Sequence, residues 1–343
     1  MQYDPENRVA QVSYNAGNTG VTPSSTVVNH YDAGGAGAYA IGRLTSMDDA
    51  LGSGSQTYTY DPMGRVTQAQ KIVDGQTYTT SYSPNTAGEL ISMTYPSRRV
   101  VQMGYDVIGR LCAVAIAASN GGCASVTSPY SSNFAYNAAQ QTTQFTYGNG
   151  VAANFTYSPT RSQLTSLSYA NSTGTQLFSL GYGYTQGQGN NGNITNITDY
   201  MDSGRTVSYT YDPLSRLTSA VTVGIGNVRH PTPELSSVVL YGSANYLQWG
   251  LSWTYDRYGN RWAQDITAGC LGWDCPSPSH TVSSATNQFI DTGLSYDANG
   301  NMLNDGYNTM VYDAANRLLS TTNGASGGSY VYDGGGDRVE KTS

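Results

Sequence analysis

Large apolar and aromatic residues recur at alternate positions along this chain, and each such pair runs into a short polar turn. Tyr58 and Tyr60 lead into Asp61-Pro62-Met63-Gly64-Arg65. Met103 and Tyr105 lead into Asp106, Tyr209 and Tyr211 into Asp212, Trp253 and Tyr255 into Asp256, and Met310 and Tyr312 into Asp313. Alternate residues of a strand share one face, so each pair predicts a strand with one large, mostly apolar stripe. An aliphatic residue follows the turn: Val66, Leu111, Leu217 and Leu318. The recurring phrase is therefore tyrosine, aspartate, two variable residues, glycine or asparagine, usually arginine, then an aliphatic. Its tyrosines are Tyr3, Tyr31, Tyr60, Tyr105, Tyr211, Tyr255, Tyr296, Tyr312 and Tyr332, with degenerate copies around Tyr82, Tyr136, Tyr157 and Tyr184. The spacing is loose, so the turn repeats while the strands between turns vary in length.

The phrase is a hairpin signal. Aspartate suits the first position of a type I turn and proline the second. A glycine or asparagine then takes the left-handed conformation and completes a three-residue loop with a bulge. Asn7, Gly64, Gly109, Gly259, Gly300, Asn316 and Gly336 fill that slot; Ser215 is the exception. This turn predicts a register in which Tyr60 faces Val66 and Asp61 faces Arg65. It likewise sets Tyr105, Asp106 and Arg110, Tyr211, Asp212 and Arg216, and Tyr312, Asp313 and Arg317 into one pattern, with aspartate and arginine on one face and tyrosine and aliphatic on the other. In this reading the arginines pin the register and do no chemistry. A lone hairpin is marginal in water, so the hairpins must pair edge to edge. The expectation is an all-β chain, a single array over residues 1–343. Loop excursions are expected near 221–250, around Arg229-His230-Pro231, and near 264–290, around Pro276-Ser277-Pro278.

Composition agrees. Charged residues make up 11% of the 343, glycine numbers 40, and tyrosine numbers 29 against only 5 phenylalanines. Such a mixture favours short strands joined by turns. Lysine occurs only at Lys71 and Lys341. A net charge of −7 argues against a nucleic-acid partner, which requires a basic face. No apolar run is long enough to span a membrane as a helix. The chain opens and closes close to copies of the repeat, which suggests a piece of a longer protein. The four cysteines form two local pairs, Cys112 with Cys123 and Cys270 with Cys275. Loop-stapling disulfides and reduced bystander thiols are both open readings.

Candidate chemistry is sparse. His30, His230 and His280 lie in unrelated segments, and the cysteine spacing does not suit zinc. Most aspartates are accounted for by the turn, and no pair of carboxylates is set to face across a cleft. Asp297-Ala298-Asn299-Gly300-Asn301 is faintly similar to a calcium loop, but it lacks the terminal glutamate and obeys the hairpin rule. No catalytic, metal or cofactor residues are therefore assigned. The tryptophans Trp249, Trp253, Trp262 and Trp273 cluster in one part of the chain. They suit either the packed face of the sheet or stacking on a sugar.

Tyr-Asp-x-x-Gly-Arg-Leu resembles the YD repeat of the Rhs family, which includes bacterial polymorphic toxins, toxin-complex C components and teneurins. The resemblance extends from Tyr3 to Val339. It implies hairpins spiralling into a hollow β-shell that encloses a C-terminal toxin or other variable domain. The family's C-terminal core signature, which supports autoproteolysis by aspartates in toxin members, is missing, so no protease residues are carried over. The expectation is a non-enzymatic wall segment of a secreted or cell-surface protein, whose partner is the remainder of its own polypeptide. The alternative is a carbohydrate- or protein-binding surface built from exposed tyrosine and tryptophan.

Overall fold

A computed structural model describes residues 1–15, 22–118, 123, 126–185, 189–202, 205–223, 249–268, 279–324 and 326–343. Among these the chain is almost entirely β: 26 strands and one short 3-10 turn, Ala36–Ala38. The first 20 strands belong to one sheet, and the last six, from Leu294–Tyr296 to Arg338–Thr342, form a second. Strands pair antiparallel with their sequence neighbours. Gly52–Tyr60 pairs with Val66–Val73, which pairs with Gln76–Pro84, which pairs with Leu90–Thr94. Sequential pairing follows from the sequence, because most turns are short and every stripe needs an adjacent stripe to cover it.

The residues group into two compact units. One comprises 1–109, 116–127 and 288–343, the other 110–115 and 128–287. The first contains the six-stranded sheet and the hairpins that precede Gly109. The second contains an uninterrupted series of pairings from Val126–Tyr136 to Arg261–Ala268, in which Leu217–Thr222 pairs with Gly250–Tyr255. The sheet takes in the described edges of both expected excursions. Val221 pairs with Gly250, and the strand after Tyr255 runs through Asp265 and Ile266 to Ala268. The ladder continues until the pairing partner ends, well past the point where the sequence turns irregular. Residues 224–248 and 269–278, with His230, Cys270, Trp273 and Cys275, lie outside the described residues.

Burial is distributed as expected for hairpins laid side by side. Among the described residues the buried hydrophobic side chains are Val27 and a set of alanines: Ala40, Ala113, Ala115, Ala153, Ala220 and Ala263. The largest fully buried side chains are polar: Asp313, Asp333 and Ser55. Large aromatic residues remain half-covered and lie against the neighbouring strand's aromatic residues. Phe134, Phe145 and Phe155 stack at 5.1 and 5.9 Å, and Tyr147, Tyr169 and Phe178 continue the run at 6.2 and 5.8 Å. Cross-strand aromatic pairs of this kind contribute about 0.5–1.5 kcal/mol each beyond the area they bury.

Candidate functional site

The repeated turn is built as follows. In the hairpin at Tyr60, the Asp61 amide donates to the Arg65 carbonyl at 2.9 Å and the Gly64 amide to the Asp61 carbonyl at 2.8 Å. Gly64 has φ 78. Asp61 Oδ1 accepts the Met63 and Arg65 amides, both at 2.9 Å, and Oδ2 accepts Arg65 Nε at 2.7 Å. Tyr60 pairs with Val66, and the register slips by one residue immediately before it, which is the bulge. Tyr211 pairs with Leu217 and Tyr312 with Leu318 in the same way. Arg216 Nε and Arg317 Nε reach Asp212 and Asp313 at 2.6 and 2.8 Å. Ser215 adopts φ 59 despite its Cβ. That conformation costs about 1–2 kcal/mol for an L-residue, and the two turn hydrogen bonds around it hold it there. Gly109 has φ 83 and its amide donates to the Asp106 carbonyl at 3.0 Å.

The aspartates sit in a cluster of donors. The Arg65 amide, opposed by burial and reinforced by the Arg65 guanidinium, holds the Asp61 carboxyl below its usual range. The Arg216 amide does the same for Asp212. Where asparagine stands in the arginine slot the turn persists. Asn260 Nδ2 donates to Asp256 Oδ2 at 2.7 Å and Asn301 Nδ2 to Asp297 Oδ2 at 2.8 Å. The Asn260 side chain is the leading cause of a lowered Asp256. The Asp297 carboxylate is thus occupied by its own turn, with the Asn299 and Asn301 amides also on Oδ1.

Two contacts join successive hairpins at many of the copies, and the sequence reading missed both. The first is made by the tyrosine hydroxyl. Tyr31, Tyr60 and Tyr105 donate to the carbonyls of Val9, Leu44 and Leu90 at 3.0, 2.6 and 3.0 Å. Tyr136, Tyr157, Tyr184, Tyr211 and Tyr255 donate to Leu111, Thr142, Leu164, Ile194 and Leu217 at 2.7, 3.0, 2.9, 2.9 and 2.8 Å. In each case the acceptor is the first strand residue after the preceding turn. A phenylalanine could fill the stripe but not make this bond, which gives a physical reason for 29 tyrosines beside 5 phenylalanines. That imbalance was the signal available in the sequence.

The second contact is made by the arginine. Arg65 Nη1 donates to the Asn85 carbonyl at 2.6 Å, Arg216 Nη1 to Asp256 at 2.8 Å and Arg317 Nη1 to Asp333 at 3.2 Å. Arg8, Arg110, Arg216 and Arg317 lie over the rings of Tyr31, Tyr136, Tyr255 and Tyr332 at 4.4, 4.9, 4.9 and 5.3 Å. The expected separation of aspartate–arginine and tyrosine–aliphatic faces therefore fails at the turn. The guanidinium is long and placed at the hairpin's end, so it reaches past its own aspartate onto the following copy. Its rigid planar fork aims one donor at each partner, where a lysine ammonium offers no fixed directions.

The other candidates are scattered. Trp253 Nε1 donates to Gln264 at 2.7 Å, and that tryptophan packs within the sheet. Trp249 and Trp262 are 37% and 36% exposed. Trp262 lines an open groove of about 460 Å³ with Asp256, Arg257, Tyr258 and His280. His30 bonds Asp48 at 2.7 Å. Cys112 and Cys123 are both disulfide-bonded. Among the described residues no group of three or more His, Cys, Asp or Glu is arranged to hold a metal, and no helix is long and apolar enough to cross a membrane.

Comparison with known proteins places this geometry. The RHS Repeat family matches residues 39–77 and 190–224. No curated protein sequence is significantly similar. The crystal structure of TcdB2-TccC3-Cdc42 superimposes with a TM-score of 0.76 at 20% identity, covering 99% of this chain and 18% of that one. TcdB2-TccC3 gives 0.72 at 20% identity over 96% and 19%. The Photorhabdus luminescens Tc holotoxin pore with a mutated TccC3 gives 0.67 at 19% identity over 93% and 18%. The chain thus spans about a fifth of the length of those structures. Residues 39–77 and 190–224 are RHS repeats, and the chain that carries them has the hairpin-strip fold of the TcdB2-TccC3 structures.

Proposed function

We propose that this chain is a wall segment of an extracellular RHS-type β-shell, which encloses or displays a toxin or effector domain located C-terminally in the same polypeptide. The observation that carries the reading is the repeated tyrosine bond between hairpins. Eight copies, from Tyr31 to Tyr255, are tied to the one before them by a side-chain bond in addition to the backbone ladder. A sheet fastened this way suits a barrier that keeps a passenger from solvent and from its target. The RHS matches and the shared fold support it. The motif's polar groups are bonded to one another, which suits a wall.

The natural polypeptide tests this directly. The residues that follow Ser343 are expected to resist protease while the strip is folded and to be cleaved once it is denatured. Cleavage at equal rates in both states, or the absence of any following domain, would overturn the reading.

A second reading, a glycan-binding face, has one observation in its favour: Trp262 and Tyr258 line the same open groove. Loss of glycan-array binding in Trp262→Ala but not in Trp249→Ala would support it, and no binding by the parent chain would remove it.

A further inference from the structure

The last copy of the motif departs from the others. It reads Tyr332-Asp333-Gly334-Gly335-Gly336-Asp337-Arg338, with aspartate in the slot where Arg65, Arg216 and Arg317 stand. The turn nevertheless has the usual form. The Asp333 amide donates to the Asp337 carbonyl at 3.0 Å, the Gly336 amide to the Asp333 carbonyl at 3.1 Å, and the Asp337 amide to Asp333 Oδ1 at 2.9 Å. Asp333 is only 1% exposed, and its second oxygen lacks the motif arginine. A buried carboxylate without a cation is strongly disfavoured. The cation comes from elsewhere in the chain: Lys71 Nζ lies 2.5 Å from Asp333 Oδ2, 262 residues away in sequence. Lys71 is one of only two lysines in the protein.

Two further features show a fit beyond a single ion pair. The Gly334 amide donates to Asp49 Oδ2 at 2.6 Å. A Cβ at Gly334 would collide with Met47 Sδ and would lie 3.0 Å from Val27 Cγ1 and 3.1 Å from Asp49 Cβ. The absence of a side chain is therefore what admits the turn. The neighbouring hairpin docks in parallel. Thr22 bridges to Asp313, the Ala314 amide donates to the Thr22 carbonyl at 2.9 Å and the Ala315 amide to Ser24 Oγ at 2.8 Å.

We propose that the last two hairpins are a clasp. The Asp333–Gly336 turn plugs a socket made by Val27, Met47, Asp49 and Lys71, and Lys71 supplies in trans the cation that this copy of the motif has lost. On this view the Lys71 charge and the bare Gly334 seat the plug, the Thr22 and Ser24 bonds follow it, and the sheet formed by residues 294–342 loosens from the early hairpins of its unit when either is removed. Neutralising the Lys71 amine, by mutation or acylation, opens the clasp while the turn itself stays formed.

Hydrogen exchange of the full chain, resolved to single amides, tests it. Lys71→Met is expected to speed exchange at Gly334, Ala314 and Ala315 by roughly tenfold or more, as local opening of a unit does. Exchange at Gly174, whose turn lies in the other unit, should stay unchanged. Gly334→Ala should give the same pattern without altering charge, and Lys71→Arg, which keeps the cation, should retain part of the protection. If Lys71→Met unfolds the chain outright, Gly334→Ala decides. Unchanged exchange at Gly334, Ala314 and Ala315 in Gly334→Ala, or in a folded Lys71→Met, would sink the proposal.

Discussion

The hairpin at Tyr211 and the hairpins between Tyr136 and Tyr184 make one turn from different chemistry. At Tyr211 the turn is ionic: Asp212 takes two amides and the Arg216 guanidinium. At Tyr136 the same places are held by amides. Asn137 Oδ1 accepts the Ala139 and Gln141 amides at 2.9 and 3.0 Å, and Asn137 Nδ2 donates to Gln141 Oε1 at 2.9 Å. At Asn171 the Thr173 and Thr175 amides fall on Oδ1 at 3.1 and 2.8 Å, with Gly174 in the left-handed slot at φ 84. Gln141 even reaches forward to the Ser162 carbonyl at 2.8 Å, where Arg216 reaches the Asp256 carbonyl. What the turn requires is thus a left-handed residue at its fourth position, since the turns that begin at Tyr95 and Tyr147 form with no acceptor side chain at the first; the side-chain oxygen reinforces the turn and its charge is optional. What both regions keep is the tyrosine hydroxyl bond to the preceding hairpin. The aspartate that makes the motif conspicuous is the more replaceable part of it.

The largest expected effect sharpens what the two regions share. Burial raises the phenols of Tyr60, Tyr105, Tyr184 and Tyr211 above their ordinary value. Ionisation would also remove the proton each donates. The stability they contribute is fully present below the unfolded phenol value of about 10 and is lost as pH rises through the folded values. Circular dichroism melts between pH 8 and pH 12 or so should show both regions failing together, in step with tyrosinate absorbance. Early loss of only the ionic region would break the comparison.

Next in size are single hydroxyl deletions. Tyr211→Phe and Tyr157→Phe each leave a strand carbonyl without its side-chain donor and should each cost about 1 kcal/mol in urea unfolding. Equal costs would show that the bond is common property of both regions. A cost confined to Tyr211→Phe would show that the amide-turned hairpins are held chiefly by their aromatic run.

The smallest effect separates the regions. Asp212→Asn keeps the acceptor oxygen and loses only a partly exposed ion pair, so it should cost less than either hydroxyl deletion. Asp61, Asp212 and Asp256 have lowered values. Their contribution is therefore present above the unfolded carboxyl value of about 4 and falls away as pH drops below it. The stretch with Asn137, Ser158 and Asn171 at this position has no such titration. Exchange measured after a brief acid pulse should show the turns at Asp61 and Asp212 opening before those at Asn137 and Asn171. Simultaneous opening would mean that the charges contribute nothing separable.

Much of the turn was legible in the sequence. Tyr-Asp-x-x-Gly-Arg-Leu yields the type I turn, the left-handed fourth residue, the bulge and the pairing of Tyr60 with Val66. It does so because all of these interactions close within seven residues of chain. Ser215 is an instructive case: its side chain argues against the left-handed slot, and the surrounding turn outweighs it. The extent of the excursions was less legible, since a strand such as Arg261–Ala268 persists as long as its partner Gly250–Tyr255 does. The tryptophan reading was divided by the fold, with Trp253 in the sheet and Trp262 on a groove.

The sequence by itself determined the hairpin, its register and the fact of repetition, because those rest on contacts four to six residues apart, where chain geometry leaves few alternatives. Only the tertiary structure decided where the motif's long side chains end. Tyr60 finds its acceptor 16 residues back, Tyr255 finds one 38 residues back, and Asp333 finds its cation 262 residues away. Such partners depend on which edges meet in space. No local rule can choose among distant strands that present the same carbonyls.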